Sequence, residues 1–365
     1  MNKTWNLCVA VLIVTGLAMS SCSEGPKRFR RLVVYSPHGL EILQDLARLF
    51  EAQHQHEEVG IRAASYNIPS HSILRQIEEE RVQPRCDVWW GGSALMFMEA
   101  KAGGLLDPCP AAEVATHLSL DLRDPDYYWL GTFVLPAVIV YNKAAIPDWE
   151  APRDWDDLLN PKWKGRILIQ DPVTTDVMAQ IFCALIQTRS GGTGNPEAGY
   201  EWLRNLESNV LTHTANTEHL FAELNEGKQA ALTIWTLSDV VVQRHRYNYN
   251  LGYVIPESGT PVLTEGVALI RGSSHLETGK LFVEFVTSAD MQLYMADPKN
   301  GYYRIPTRND LGDRLPEWLK GVDVRDMLRK MPIDWSIVRR DRAEWIKYWD
   351  EQIRNKNLPE DKSVG

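Results

Sequence analysis

Three short stretches place small hydroxyl residues or glycine where an apolar extended run gives way to a helical pattern. Ser36-Pro37-His38-Gly39 follows Leu32-Val33-Val34-Tyr35, and Gly91-Gly92-Ser93-Ala94 follows Cys86-Asp87-Val88-Trp89-Trp90. Asp171-Pro172-Val173-Thr174-Thr175 follows the run from Arg166 to Gln170. A helix that begins where a parallel strand ends presents unpaired backbone N–H groups and the positive end of its dipole. That combination receives anions. Ser36 suits the N-cap and Pro37 the first helical position, where a missing N–H costs nothing. Taken singly, each stretch is an ordinary capped turn. Three of them beyond the ends of neighbouring strands would form a surface for phosphate, phosphonate or carboxylate.

Catalysis is not expected from these residues, and the protein is read as a non-enzyme. The chain has no G-x-S-x-G, HExxH or CxxC pattern. Ser36 and His38 lie two residues apart at a helix start, a spacing that does not bring side chains together on a helix. Asp154, Asp156 and Asp157 crowd another helix start, where acids complement the dipole. Ser190-Gly191-Gly192-Thr193-Gly194-Asn195 lacks the Lys-Ser/Thr of a phosphate-binding loop and has no strand directly before it.

The elements that would carry the turns alternate. Strands are expected at 32–35, 59–66 and 86–90, with helices from Pro37 to Phe50, at 70–81 and at 95–102, the last stopped by Gly103-Gly104. This is a parallel sheet covered on both faces. Leu130 to Tyr141 is a long apolar run broken by Pro136, read as a segment crossing out of a first lobe. Strand–helix units continue through 166–187, 200–214, 217–235 and 240–247. Leu251–Pro256 and Val262–Ile270 form a second extended crossing back, and helices follow at 276–286, 289–295 and 336–354.

At 365 residues the chain can fill two lobes with sizeable cores. Its net charge of −9 argues against nucleic acid as a partner. Met1-Asn2-Lys3 and the apolar run from Leu7 to Leu17 lead to Leu17-Ala18-Met19-Ser20-Ser21-Cys22. The segment resembles the bacterial lipoprotein signal, which implies cleavage before Cys22 and lipidation of its thiol, so that residues 1–21 are signal and 22–31 anchor and tether. Cys183, in IFCALI, is expected as a small core residue. Cys86 and Cys109 could pair in an exported protein, and their spacing leaves this open.

The motifs VVYSPHGLEIL, CDVWWGGS, LPAVIVYN, DWDDLLNPKWKGRILIQDP, GYEWLRNL, GKQAALTIW and GTPVLTEGVALIRGSSH, in this order, resemble the extracellular solute-binding proteins of bacterial ABC importers. The branch they are most similar to contains ferric-, phosphonate- and sugar-phosphate-binding members. The resemblance implies an α/β, two-lobed type II periplasmic-binding-protein fold. Each lobe would be a mainly parallel sheet flanked by helices, with two hinge crossings and a cleft that closes on a solute. Residues 32–133 with 256–310 would form the N-lobe, and 134–255 with 311–365 the C-lobe.

Ferric-binding relatives use a His on the first turn, a carboxylate after the third strand and an adjacent Tyr pair after the late C-lobe strand. Here His38 meets the first requirement. Trp90-Gly91-Gly92-Ser93 and Trp235-Thr236-Leu237-Ser238-Asp239 miss the other two, while Tyr127-Tyr128 and Tyr302-Tyr303 lie elsewhere. No metal site and no cofactor are therefore expected. The ligand-binding residues expected are Ser36, His38, Gly92, Ser93, Thr174 and Thr175 from the turns. Trp235 would offer a stacking face, with Trp90 as a further candidate. Tyr303 and Arg304 are expected at the ligand too, Arg304 to pair an anion, and Glu265 would receive hydroxyl or ammonium groups. Expected partners are a small anionic solute, ABC permease and ATPase subunits, and the membrane through the lipid anchor. The protein is read as a monomer on the periplasmic side of the envelope. Ferric or iron-chelate binding, and sensing through a membrane receptor, are the alternatives.

Overall fold

The computed structural model describes residues 28–55, 59–110, 112–191, 195–320 and 331–354. The expected signal segment and Cys22 lie outside the described residues. Arg28 to Arg31, expected within the tether, instead open the first strand. Their backbone is paired with the second strand from Arg28↔Val59 onward, and Arg30 and Arg31 keep their side chains in solvent.

The first elements are β1 (Arg28–Ser36), α1 (Leu40–Gln53), β2 (Val59–Asn67), α2 (Ser70–Glu79), β3 (Val88–Ser93), α3 (Ala94–Ala102), β4 (Leu106–Asp107) and α4 (Ala112–Thr116). Then come β5 (Leu130–Asn142), β6 (Ile167–Gln170), α5 (Asp176–Arg189), α6 (Glu197–Glu207), β7 (Val210–Thr214), α7 (Thr217–Glu226), β8 (Leu232–Thr236) and α8 (Leu237–Arg246). The last are β9 (Leu251–Val254), β10 (Val262–Ile270), α9 (Leu276–Thr287), α10 (Ala289–Ala296), β11 (Ile305–Pro306) and α11 (Trp335–Tyr348).

The main sheet path runs β2-β1-β3-β10-β5-β8-β6-β7. β1 pairs in parallel with β2 and β3, and β10 enters antiparallel between β3 and β5. β6 pairs in parallel with β7 and β8. β5 belongs to both halves. Its residues up to Pro136 pair with β10, and from Ala137 on they pair with β8, with Ile139 to Asn142 also pairing β9. The expected break at Pro136 is thus a change of partner within one strand. Proline fits there because it has no N–H to give to a ladder. The arrangement is the type II periplasmic-binding fold, with β5 and the β9–β10 segment as its crossings.

β1 shows why the first sheet half is two-sided. Leu32 and Val34 face α1, α9 and α10 with Phe50, Phe282 and Val286, whereas Val33 and Tyr35 face α2 and α3 with Ile73, Ile77 and Phe97. A strand buried on both faces reads as a continuous apolar run, as this one does. The second half has its own core, in which Ile139, Phe182, Leu203, Phe221 and Trp349 are buried.

DWDDLL forms a 3-10 turn at Trp155–Leu159 and not an α-helix, with Asp154 and Asp157 in a capping box. Trp155 donates its indole N–H to the Gly259 carbonyl at 2.9 Å, so this motif pins the return crossing. The acidic cluster is therefore structural. Cys86, Cys109 and Cys183 are buried and free. Among the described residues no helix is long and apolar enough to cross a membrane.

Candidate ligand-binding site

β1 ends at Ser36, and α1 begins only at Leu40, with Gly39 as an N-cap that makes no side-chain bond. Ser36 is thus not the cap that the sequence suggested. Its hydroxyl lies 2.8 Å from His38 Nδ1 and also accepts the His38 backbone N–H at 3.3 Å. The expectation that Ser36 and His38 stay apart is corrected as well. Both precede the helix, so helical spacing does not apply to them. From the end of β2, the Asn67 amide donates to the carbonyls of Pro37 (3.2 Å) and His38 (2.7 Å), which fixes the turn.

The His38 ring lies 4.2 Å from the ring of Trp90, which is fully buried and serves as its floor. Gly91 makes this approach possible. Its φ is +88°, and a Cβ there would sit 2.4 Å from His38 Cε1. Gly92 is equally constrained, by Phe97 and Trp89 at 2.7 Å from a built Cβ. The glycines are needed for packing around the imidazole and the tryptophans.

His38 Nε2 is 3.6 Å from Glu265 Oε2, on β10. Burial pushes the Glu265 carboxyl up. The neighbouring His38 imidazole and the charge of Arg304 outweigh burial and hold it below the usual carboxylate value. Arg304 follows Gly301 and Tyr303, both left-handed at φ 76° and 50°. Its Nη1 lies 3.8 Å from Asp239 Oδ1. The other oxygen of Asp239 accepts from Trp235 Nε1 (2.8 Å) and Thr236 Oγ1 (2.9 Å). Four polar atoms along this line are buried without a hydrogen bond: His38 Nε2 and Glu265 Oε2, which face each other at 3.6 Å, and Arg304 Nε and Ser238 Oγ. Buried polar groups are normally hydrogen-bonded, and leaving one unpaired costs about 1–3 kcal/mol.

The other expected residues are placed differently. Ser93 caps α3, accepting from Met96 N, and donates to Asp176 Oδ2 at 3.2 Å. Asp176 is the first residue of α5 and takes up the position foreseen for an external anion at the third turn. It also accepts from Gln180 at 2.6 Å and is ion-paired to Arg342 of α11, whose Nη2 reaches Glu99 of α3 at 3.2 Å. Thr174 is exposed and donates to the Asp171 carbonyl, and Thr175 precedes α5 without a side-chain cap bond. Trp235 is buried behind Asp239 and offers no open face. Tyr303 is buried between His245 and Trp318.

Structure therefore joins Ser36, His38, Glu265 and Arg304, links Ser93 to the start of α5, and turns Trp235 and Tyr303 to packing. Sequence reasoning missed Asn67, Asp176, Ser238, Asp239 and Arg342. Ser238 and Asp239 follow a strand end, as the selected turns do, so that signal was present. Arg342 had no local signal. Among the described residues, no three His, Cys, Asp or Glu side chains cluster closely enough to hold a metal ion.

Residues 93–320 match the family model described as bacterial extracellular solute-binding protein. The chain is 23% identical over 309 residues to iron uptake protein A1 of Synechocystis, covering 80% of this chain and 82% of that one. It is 24% identical over 248 residues to a putative 2-aminoethylphosphonate-binding periplasmic protein of Salmonella typhimurium, covering 66% and 67%. The solved periplasmic binding protein AfuA from Actinobacillus pleuropneumoniae, with exogenous fructose-6-phosphate bound, superposes with a TM-score of 0.72 at 21% identity, covering 89% of this chain and 98% of that one. With the fold and the family model in agreement, the chain belongs to the bacterial extracellular solute-binding proteins, periplasmic proteins that take up small solutes for ABC permease and ATPase subunits.

Proposed function

We propose that this protein captures a small anionic solute, carrying hydroxyl or ammonium groups, in the space bounded by His38, Glu265, Arg304 and Asp239. The observation that carries the reading is the set of four buried atoms without a hydrogen bond along that line. Arg304 supplies donors for a phosphoryl, phosphonate or carboxylate group. Glu265, held ionised by His38 and Arg304, supplies acceptors for hydroxyl or ammonium groups. The ligands named for two relatives, 2-aminoethylphosphonate and fructose-6-phosphate, each join an oxyanion to such donors. The turns at Ser36 and Ser93 act mainly by positioning, through His38 and Asp176. The lobe division at 32–133 with 256–310 and 134–255 with 311–365 is part of this proposal. It is supported by the partner change of β5 at Pro136.

A thermal-shift screen of aminophosphonates, sugar phosphates, small carboxylates and ferric citrate tests the solute class. One class should raise Tm by several degrees at saturating concentration, and Arg304→Gln should abolish the shift. A shift by free ferric ion alone would refute the reading. Anchoring at Cys22 on the periplasmic side is tested separately. The mature chain should carry lipid in its mass spectrum and fractionate with membranes, and Cys22→Ser should release it. A lipid-free mature wild type would end the anchor reading while leaving the solute reading intact.

A further inference from the structure

A cavity lies on the face of β1 and β2 that carries Val33 and Tyr35. It measures about 760 Å³ and is lined by Arg31, Tyr35, Tyr66, Arg85, Asp87 and His275 among others. Arg31 and Asp87 lie on the N-terminal side of this face, and Tyr66, Asn67 and Ile68 carry the lining to the C-terminal end of β2, next to the turn that holds His38.

Asp87 borders the cavity, Glu80 is bonded to the lining residues Tyr35 and Gln76, and both carboxylates are already engaged. Asp87 is buried and accepts from Val33 N (2.7 Å), Ser273 Oγ (2.5 Å) and His275 Nδ1 (3.2 Å). Glu80 accepts from the Tyr35 hydroxyl and Gln76, both at 3.1 Å, and from Arg85 N at 3.4 Å. The guanidinium groups of Arg31 and Arg85 have no carboxylate partner among the described residues and are exposed. Bonding of His275 Nδ1 to Asp87 orients the imidazole and leaves Nε2 for another group, as in carboxylate-oriented histidines generally. Tyr66 stands edge-on to Tyr35, ring centroids 6.0 Å apart, and is 48% exposed, so a ring face is open. Two free guanidiniums and an oriented imidazole suit a phosphate or carboxylate, and an exposed tyrosine suits a flat body attached to it.

We infer that this cavity is a second ligand site, separate from the solute line, for a small phosphate or carboxylate anion that carries a ring. It does not rest on the proposed solute. Asn67 connects the two regions, since it lines the cavity while its amide holds the Pro37–His38 turn.

Phenyl phosphate and inorganic phosphate are suitable probes, titrated into the full chain and followed by the ³¹P resonance and by calorimetry. Phenyl phosphate should bind saturably, and more tightly than inorganic phosphate. The double variant Arg31→Gln/Arg85→Gln should weaken it about tenfold or more, and Tyr66→Ala should erase its advantage over inorganic phosphate. All three positions are exposed, so the variants should keep the wild-type melting temperature. In Arg304→Gln, which removes the solute line's own oxyanion donor, saturable phenyl phosphate binding should persist. Absence of saturable binding up to about 10 mM would overturn the inference. So would binding that survives when the arginine double variant is combined with Arg304→Gln, or that disappears in Arg304→Gln alone.

Discussion

At the scale of single residues, the site is an arrangement of constrained side chains around one imidazole. Gly91 is the clearest dependency, because its left-handed backbone and the closeness of His38 both exclude a side chain. Gly91→Ala should cost about 1–3 kcal/mol of stability and displace His38, so solute affinity should fall with it; denaturant melts and calorimetry read both. The Glu265 carboxyl is held below its ordinary value of 4.5, so its ionised form favours the folded state. That contribution is complete above pH 4.5 and is lost as pH falls through the depressed folded value. The gap in Tm between wild type and Glu265→Gln should therefore narrow as pH drops from 6 towards 3. A constant gap would mean that the carboxylate's charge is irrelevant. Sequence showed which turns to inspect but misjudged what their hydroxyls do. Ser36 bonds a neighbour that helix spacing seemed to exclude, and Ser93 bonds Asp176, far along the chain. Local spacing cannot encode partners of that kind.

Elements decide how the halves meet. The N-terminus of α5 is occupied by the chain's own Asp176, and α11 contributes Arg342, which pairs both Asp176 and Glu99. A partly exposed network of this kind contributes little to stability, about 1 kcal/mol. Its effect should lie in geometry. Arg342→Gln should leave Tm nearly unchanged while altering the radius of gyration of the ligand-free protein in X-ray scattering. Asn142, almost fully buried, does different work at the end of β5. Its amide donates to the carbonyls of Leu224 and Asn225 at 2.9 and 2.8 Å, and its oxygen accepts from the backbones of Ala144 and Ala145. Asn142→Ala should cost about 2–3 kcal/mol in urea unfolding, because α7's last carbonyls lose their donor. Most of the strand–helix order was legible, since continuous apolar runs and helical periodicity alternate clearly along the chain. The role of α11 was not. Its periodicity shows an amphipathic helix, but only the fold reveals that it packs on α5 and spans the seam.

For the whole molecule, the decisive feature is that β5 serves both sheet halves. Neither half can lose β5 while the other stays intact, so calorimetry of the ligand-free protein should give one transition with equal van't Hoff and calorimetric enthalpies. Two resolved transitions would count against this coupling. Solute binding should lower the radius of gyration and raise Tm together, as expected where a ligand favours a closed state. The insertion of β10 between β3 and β5 bears on how the chain is made. Synthesis delivers β3 and β5 long before the strand that joins them, and until β10 emerges both present an open edge. The first half-sheet must wait for nearly three quarters of the polypeptide, which delays native structure during translation. Until then the unpaired edges of β3 and β5 leave the nascent chain exposed to aggregation.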